Sequence, residues 1–206
     1  MKDKVLLYIS AAPELKLERA MLNKAITEIP TSLGWKIVQT PRQDGYAENE
    51  PNLDAVLHAD VHLLILGEDV KAPIGVEWRQ ARRAGLRPFL FNKDVLRTQA
   101  GESFKRDLAQ FGEWRAFKDA VELKRLALSL LVDHLIAHAV PYALQTQEVE
   151  RLRDWLVAQS KAKPKLDDAR GGTDNSGVIL STERFVPSDG TLLGRWRSNP
   201  GTENSA

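Results

Sequence analysis

The spacing of apolar and polar positions changes repeatedly over the first 120 residues of the chain. Short unbroken apolar runs, rich in β-branched and aromatic residues, alternate with longer segments in which apolar residues recur every three or four positions. Such runs are typical of strands buried on both faces, and the longer spacing predicts amphipathic helices. Strands are therefore predicted over residues 5–9, 35–38, 61–66, 87–92 and 114–117.

Helices are predicted between these strands and after the last one. They cover residues 14 to about 30, 53–59, 75–84, 103–111, 121–139 and 146–161. Regular alternation of strands and helices favours an α/β fold in which a doubly wound, five-stranded parallel sheet has helices on both faces. The crossovers between parallel strands are expected to be right-handed.

The character of the chain changes twice beyond this α/β pattern. Residues 1–120 are predicted to form the α/β domain, and residues 121–162 a C-terminal helical extension. Residues 163–206 are mostly polar and rich in glycine, which predicts a linker and a mostly disordered tail. The turn dipeptide Asp189-Gly190 is compatible with a hairpin inside that tail.

Composition excludes several classes of function. There are no cysteines, which rules out disulfides, thiolate metal sites and a cysteine nucleophile. A net charge of +1 gives no indication of direct nucleic-acid binding. No segment approaches the roughly 20 apolar residues of a membrane helix, and the run at residues 5–9 is short for a signal peptide. We therefore expect a cytoplasmic protein without membrane contact.

The fold class predicts where a ligand would bind. In open parallel sheets, ligands bind beyond the carboxyl ends of the strands. Glu77 lies close to that edge if the helix after the third strand begins near Gly75. Its carboxylate could accept ribose hydroxyls or stabilise positive charge at an anomeric carbon. The alternative is an ordinary acidic residue in a first helical turn, stabilised by the helix dipole.

Other candidate residues carry less specific patterns. Arg19 could hold a phosphate or carboxylate, but a solvated helix face or a structural ion pair is the more common reason for such a charge. His134 and His138 have the spacing of a metal-binding pair but lack a third ligand, so no metal site is predicted. Glycine-rich nucleotide loops, Walker loops and nucleophile elbows are absent from the sequence.

Two segments resemble the TIR-like domains of the DUF4062 type. VLLYISAAPELKLER, residues 5–19, is similar to their opening strand, serine-containing turn and helix with Glu-Arg. VHLLILGEDVKAPIGVEWRQARRAGLRPFLF, residues 61–91, is similar to their third strand, Glu-aromatic-x-x-Ala helix and Gly-x-x-Pro strand. The resemblance covers about the first 120 residues and implies a flavodoxin-like, TIR-like fold.

The resemblance also implies a chemistry. The wider TIR group includes enzymes that cleave NAD at the nicotinamide–ribose bond, with a catalytic glutamate on the helix after the third strand, where Glu77 lies. NAD would then be a substrate, and no cofactor or metal is implied. Phosphate groups would meet backbone amides near the start of the first helix. The residues implied to contact the nucleotide are Ser10, Ala11, Ala12, Arg19 and Trp78, the last by stacking unless it packs inside the protein.

Three functions remain open from the sequence. The first is an NAD-cleaving effector of bacterial anti-phage immunity, activated by assembly. The second is a non-catalytic recognition or assembly module that binds a protein partner through its C-terminal helices and tail. The third is an enzyme similar to nucleoside deoxyribosyltransferases, which share the sheet architecture and a glutamate in the crevice.

Overall fold

The structure is a computed structural model that describes residues 2–41 and 51–161 of the chain. Its strands are β1 (Lys4–Ala11), β2 (Gly34–Gln39), β3 (Val61–Leu66), β4 (Phe89–Lys93) and β5 (Trp114–Phe117). Its helices are α1 (Lys16–Ile26), α2 (Leu53–Leu57), α3 (Ala72–Arg83), α4 (Gln99–Leu108), α5 (Ala120–Ala137) and α6 (Thr146–Lys161). The predicted loop over 42–50 and the predicted linker, tail and hairpin of 163–206 lie outside the described residues.

The five strands form one sheet in the order β2-β1-β3-β4-β5, and every neighbouring pair is parallel. This confirms the predicted doubly wound, flavodoxin-like α/β fold. Helix α1 packs against α5, and α2 packs against α3. The strand order reverses at β1, so the crevice typical of such sheets lies at the carboxyl ends of β1 and β3.

The two faces of β1 have different chemistry. Val5, Leu7 and Ile9 belong to the large core shared with α1 and α5. Tyr8 and Ser10 alternate with them along the strand and are equally buried. Because successive side chains of a strand point to opposite faces, both point away from α1 and α5, toward what is called here the second face of the sheet. Polar groups are thus built into an interior strand of the sheet.

The helices of the predicted C-terminal extension share the core of the sheet. Leu123, Leu131 and Leu135 of α5 and Leu152 of α6 are fully buried in the same cluster as β1. Residues 1–164 form one compact unit. None of the helices in the described ranges is long and apolar enough to cross a lipid bilayer.

Several predicted boundaries differ from the structure. Strand β1 continues through Ala11, where a turn was expected. Helix α3 begins at Ala72 rather than near Gly75, since Pro73 occupies the first turn, where its missing N–H is not needed. Helix α4 begins at Gln99 because the Thr98 side chain accepts a hydrogen bond from the Gly101 amide and caps the helix.

Candidate functional site

Glu77 lies in the middle of α3, fully buried against the second face of the sheet. Three hydroxyl groups donate hydrogen bonds to its carboxylate. Tyr8 Oη lies 2.7 Å from Oε1, Ser10 Oγ lies 2.6 Å from Oε2, and Thr40 Oγ1 lies 2.8 Å from Oε2. Ser10 is close to the carboxyl end of β1 and Thr40 follows β2 directly, so the carboxylate lies at the predicted edge of the sheet.

A buried histidine extends this arrangement. His62, in β3, is paired in register with Tyr8 of β1, and the two rings meet edge to face at 5.8 Å. His62 Nε2 lies 2.8 Å from Ser10 Oγ. The residues that join here are called the Glu77 cluster: Tyr8, Ser10, Thr40, His62 and Glu77. Each is at most 2% exposed, so side chains from β1, β3, α3 and the residue after β2 form a polar layer shielded from water.

Burial sets the protonation properties of the Glu77 cluster. Loss of solvent raises the pKa of Glu77, although hydrogen bonds from Ser10, Tyr8 and Thr40 and the charge of Arg19 act in the opposite direction. Burial, and then the charge of Glu77, raise the pKa of Tyr8. Burial lowers the pKa of His62 from 6.5 to about 3. A neutral imidazole therefore lies beside a carboxyl group that ionises less readily than usual.

Arg19 lies next to the Glu77 cluster and is itself buried. Its Nε donates to Gln39 Oε1 at 3.2 Å, and its guanidinium also donates to the carbonyl oxygen of Thr40. Arg19 therefore ties α1 to the end of β2. The guanidinium considered above as a ligand for phosphate or carboxylate thus donates to groups of the protein itself. Its positive charge acts to lower the pKa of Glu77.

Ser10 and Ala11 differ from their predicted role as backbone donors near a helix start. Both lie in β1, and α1 begins only at Lys16. The Ala11 amide donates to Thr40 Oγ1 at 3.1 Å. Its N–H group is therefore already used in a hydrogen bond that a phosphate would have to replace. Ala12 is buried, and its carbonyl accepts from the Leu15 amide. Ser10 takes part in the site through its side chain.

Trp78 follows Glu77 in sequence but belongs to a different cluster. It is 7% exposed and packs with Ile74, Leu64 and Leu90. Its ring centroid lies 5.2 Å from that of Phe111. This favours the packing interpretation over stacking on a ligand.

Two surface cavities lie away from Glu77. One, of about 340 Å³, lies beside the start of β4 and is lined by Trp78, Arg82, Gly85, Leu86, Arg87, Pro88, Gln110 and Phe111. The other, of about 320 Å³, lies between α1 and α5 and is lined by Met21, Lys24, Ala25, Glu28, Val121 and Lys124. The Glu77 side chain lines neither cavity, and neither lies at the carboxyl edge of β1.

The two histidines with metal-binding spacing contact each other and a tyrosine. His134 stacks on His138 with 4.1 Å between ring centroids, and its Nε2 lies 3.1 Å from the Tyr142 hydroxyl. Across residues 2–41 and 51–161, no group of three or more His, Asp or Glu side chains could hold a metal ion.

Sequence reasoning did not single out Tyr8, Thr40 and His62. A signal was available for two of them. Tyr8 and Ser10 are two residues apart in a strand, which places both on one face, and His62 is the one strongly polar residue of β3. Thr40 offers no comparable signal, because its role depends on which strand lies beside β2.

No protein-family model matches this chain, and no curated protein matches it. The resemblance to TIR-like domains stays a prediction from residues 5–19 and 61–91.

Proposed function

We propose that this chain cleaves the nicotinamide–ribose bond of NAD, with Glu77 as the catalytic carboxylate. The observation that carries the proposal is the buried carboxylate at the carboxyl ends of β1 and β2, held by the hydroxyls of Tyr8, Ser10 and Thr40. A buried carboxylate that hydroxyl donors hold in one orientation can stabilise the positive charge that develops on a sugar in the transition state.

The hydrogen bonds of Oε2 indicate how a ribose could be held. Ser10 and Thr40 both donate to this oxygen, and the 2′- and 3′-hydroxyls of a ribose are donors of the same kind. A ribose hydroxyl that replaces Thr40 at this oxygen, while Ser10 stays in place, would keep the carboxylate satisfied while it binds the sugar. In this arrangement Glu77 would lie beside the anomeric carbon.

The reaction then proceeds in two stages. The bond between C1′ and the nicotinamide nitrogen breaks, and its electron pair leaves with neutral nicotinamide. The oxocarbenium-like ribose faces the negative carboxylate, whose attraction is strengthened by the low dielectric of a buried site. Water adds to C1′ and transfers a proton to Glu77, whose raised pKa suits a proton acceptor. The products are nicotinamide, ADP-ribose and a proton.

Complete burial of Glu77 supports activation by assembly. A nucleotide can meet this carboxylate only after a rearrangement that opens the second face of the sheet near β1. Self-association or a protein partner would supply the free energy for that change. With the TIR-like resemblance, this extends the proposal to a cytoplasmic effector of bacterial anti-phage immunity.

The test is NAD consumption by the purified full chain, at rising protein concentration and with a crowding agent that promotes self-association. Glu77→Gln should lower turnover at least about 100-fold, the scale of loss when a transition-state contact is removed. Glu113→Gln, which makes the same charge change at an exposed site, should leave turnover unaltered. Equal activity of wild type and Glu77→Gln would remove the catalytic role.

A substrate panel separates this proposal from the transferase alternative. An enzyme similar to nucleoside deoxyribosyltransferases would use the same Glu77 carboxylate on nucleosides and leave NAD intact. Incubation with NAD, 2′-deoxynucleosides and nucleotide sugars, followed by chromatography of the bases released, distinguishes the two by which base appears.

A second candidate function is a non-catalytic recognition or assembly module. It is favoured by the saturation of the carboxylate by Tyr8, Ser10 and Thr40, which a purely structural polar cluster also requires. Size-exclusion chromatography of the full chain and of residues 1–162 tests it. Assembly that disappears with the tail, in a protein inactive on NAD, would favour the module.

A further inference from the structure

His62 is a buried titratable group that the proposed reaction does not use. It is fully buried in β3, and its Nε2 lies 2.8 Å from the Ser10 hydroxyl. Its Nδ1 has no partner among the described residues. Buried ring nitrogens are normally hydrogen-bonded, so the uneven pairing of this imidazole calls for an explanation.

The single hydroxyl proton of Ser10 accounts for this uneven pairing. A serine hydroxyl has one proton to donate, and Ser10 Oγ lies 2.6 Å from Glu77 Oε2. An ionised carboxylate can only accept, so the Ser10 proton points to Glu77. Ser10 must then accept from His62, which requires the proton of the neutral ring to be on Nε2. The bare Nδ1 is the consequence of that tautomer.

We infer that His62 is a positioning residue for Glu77: it donates from Nε2 to Ser10 and thereby commits the Ser10 hydroxyl proton to the carboxylate. The inference deepens the proposed function, on which its catalytic meaning rests. Without this donor, the Ser10 hydroxyl could rotate toward other acceptors, and the carboxylate would lose one of its three hydroxyl donors.

The neutrality of His62 matters to this role. Burial keeps its pKa low, so it supplies a donor without a positive charge. A cation beside Ser10 would compete with the oxocarbenium-like sugar for the charge of Glu77. The other titratable groups that act on the carboxylate are Tyr8 from β1 and Arg19 from α1, and both are present whether or not His62 donates.

The first test measures the tautomer of His62 in the wild-type full chain. Nitrogen-15 NMR of the labelled histidines reports which ring nitrogen carries the proton, and the spectrum of His62→Gln identifies the His62 signals among the four histidines. The expected result is a neutral ring protonated at Nε2. A ring protonated at Nδ1, or at both nitrogens, at neutral pH would overturn the inference.

The second test follows the pKa of the Glu77 carboxyl by carbon-13 NMR. His62→Leu removes the donor and should raise that pKa by about one unit, the effect of one lost neutral hydrogen bond. His62→Gln can donate from its amide and should restore the wild-type value. In a Ser10→Ala background, His62→Leu should produce no further shift. Equal shifts for Leu and Gln, or a full shift without Ser10, would contradict positioning through Ser10.

These results are independent of the proposed reaction. If the tautomer and the pKa behave as expected while NAD is not consumed, the NAD proposal fails and the positioning of Glu77 stands. If Glu77→Gln abolishes NAD cleavage while His62 is protonated at Nδ1, the positioning fails alone. When NAD cleavage and the positioning of Glu77 are both correct, His62→Leu should lower kcat more than it changes KM. His62→Gln should then recover kcat.

Discussion

Burial determines the pKa values of Glu77 and of the histidine beside it. In solvent, a carboxyl group and an imidazole would exchange protons with the bulk at their ordinary pKa values. Fully buried, Glu77 has a raised pKa and His62 a lowered one. Both shifts favour the uncharged form, and the hydroxyls of Ser10, Tyr8 and Thr40 partly oppose this for Glu77.

His62 should make the protein sensitive to acid. Its pKa is lowered from 6.5 to about 3 in the folded state, so its contribution to stability is complete above 6.5 and is lost as the pH falls toward 3. The free energy of unfolding of wild type should decline relative to His62→Gln by about 1.4 kcal/mol per pH unit across that range. Denaturant titrations at successive pH values measure this difference.

The control for this experiment is His58→Gln, because His58 is exposed. Its stability should follow wild type in parallel at every pH. Parallel curves for wild type and His62→Gln would mean that the imidazole is not buried in its neutral form.

At the residue scale, the sequence could single out Glu77 but not its partners. Glu77 has a motif context on a helix, whereas Tyr8 and His62 sit in apolar runs whose dominant signal is burial. That they meet depends on β1 and β3 being neighbours in a register that pairs Tyr8 with His62. Trp78 was open to two interpretations because adjacent helical residues point in directions 100° apart, and only the packed structure tells them apart.

At the scale of single elements, periodicity predicted the type of every helix and strand in the described residues, and the errors lie at element boundaries, such as the end of β1 and the starts of α3 and α4. Helix α3 begins before Gly75, which places Glu77 inside the helix rather than in its first turn. The dipole interpretation of Glu77 loses its basis for that reason, since the effect fades beyond the first turn. Caps and first-turn prolines are weaker sequence signals than an apolar face.

Two helical glycines should respond to alanine in opposite ways. At Gly101 in α4, a Cβ atom would lie 2.9 Å from the backbone oxygen of Glu68. Gly101→Ala should therefore destabilise the protein by about 1 kcal/mol or more, despite the higher helix propensity of alanine. Gly75 in α3 has nothing within 4 Å of that position. Gly75→Ala should stabilise by about 0.5–1 kcal/mol.

Urea denaturation of the two variants beside wild type measures this contrast. Stabilisation by both substitutions would mean that the distance between Gly101 and the backbone oxygen of Glu68 leaves room for a Cβ atom. Destabilisation by Gly75→Ala would mean that the start of α3 is crowded.

Helix α6 is attached to the turn before β2 by one carboxylate. Glu148 accepts from Thr31 Oγ1 at 2.9 Å, from the Ser32 amide at 2.5 Å and from Ser32 Oγ at 3.0 Å. Burial acts to raise the pKa of Glu148, but the hydrogen bonds from Ser32 and Thr31 outweigh it and lower the pKa. The attachment is therefore strongest at neutral pH and weakens as acid protonates this group.

Glu148→Ala should detach the start of α6 and increase hydrogen exchange of its amides. The expected loss of stability is about 1–3 kcal/mol, because the partners at Thr31 and Ser32 are left unsatisfied. Hydrogen–deuterium exchange with mass spectrometry locates the change, with Glu150→Ala, an exposed neighbour, as control. Unchanged protection of α6 would show that Leu152 and the apolar face hold the helix alone.

At the scale of the whole molecule, the architecture follows from the order of elements, because alternation of buried strands and amphipathic helices admits few topologies. The position of Glu77 near the carboxyl edge follows from the same topology. The depth of Glu77 does not, because it depends on how closely α3 packs on β1.

A chain ending at residue 164 should fold as the full chain does. The buried core among the described residues extends no further than Leu152, and residues 1–164 form one compact unit. Circular dichroism should give the same midpoint of thermal unfolding for both lengths, within about 2 °C, the shift expected for less than 1 kcal/mol. A large drop for the shorter chain would mean that residues beyond 164 stabilise the fold.

The bond between Tyr8 and Glu77 joins residues that are 69 positions apart. Closing so long a loop is entropically costly, and the contact can form only once β1, β3 and α3 have come together. We therefore expect the carboxylate to be enclosed after the folding barrier has been crossed. Substitutions at Tyr8 would then hasten unfolding and leave the rate of refolding nearly unchanged.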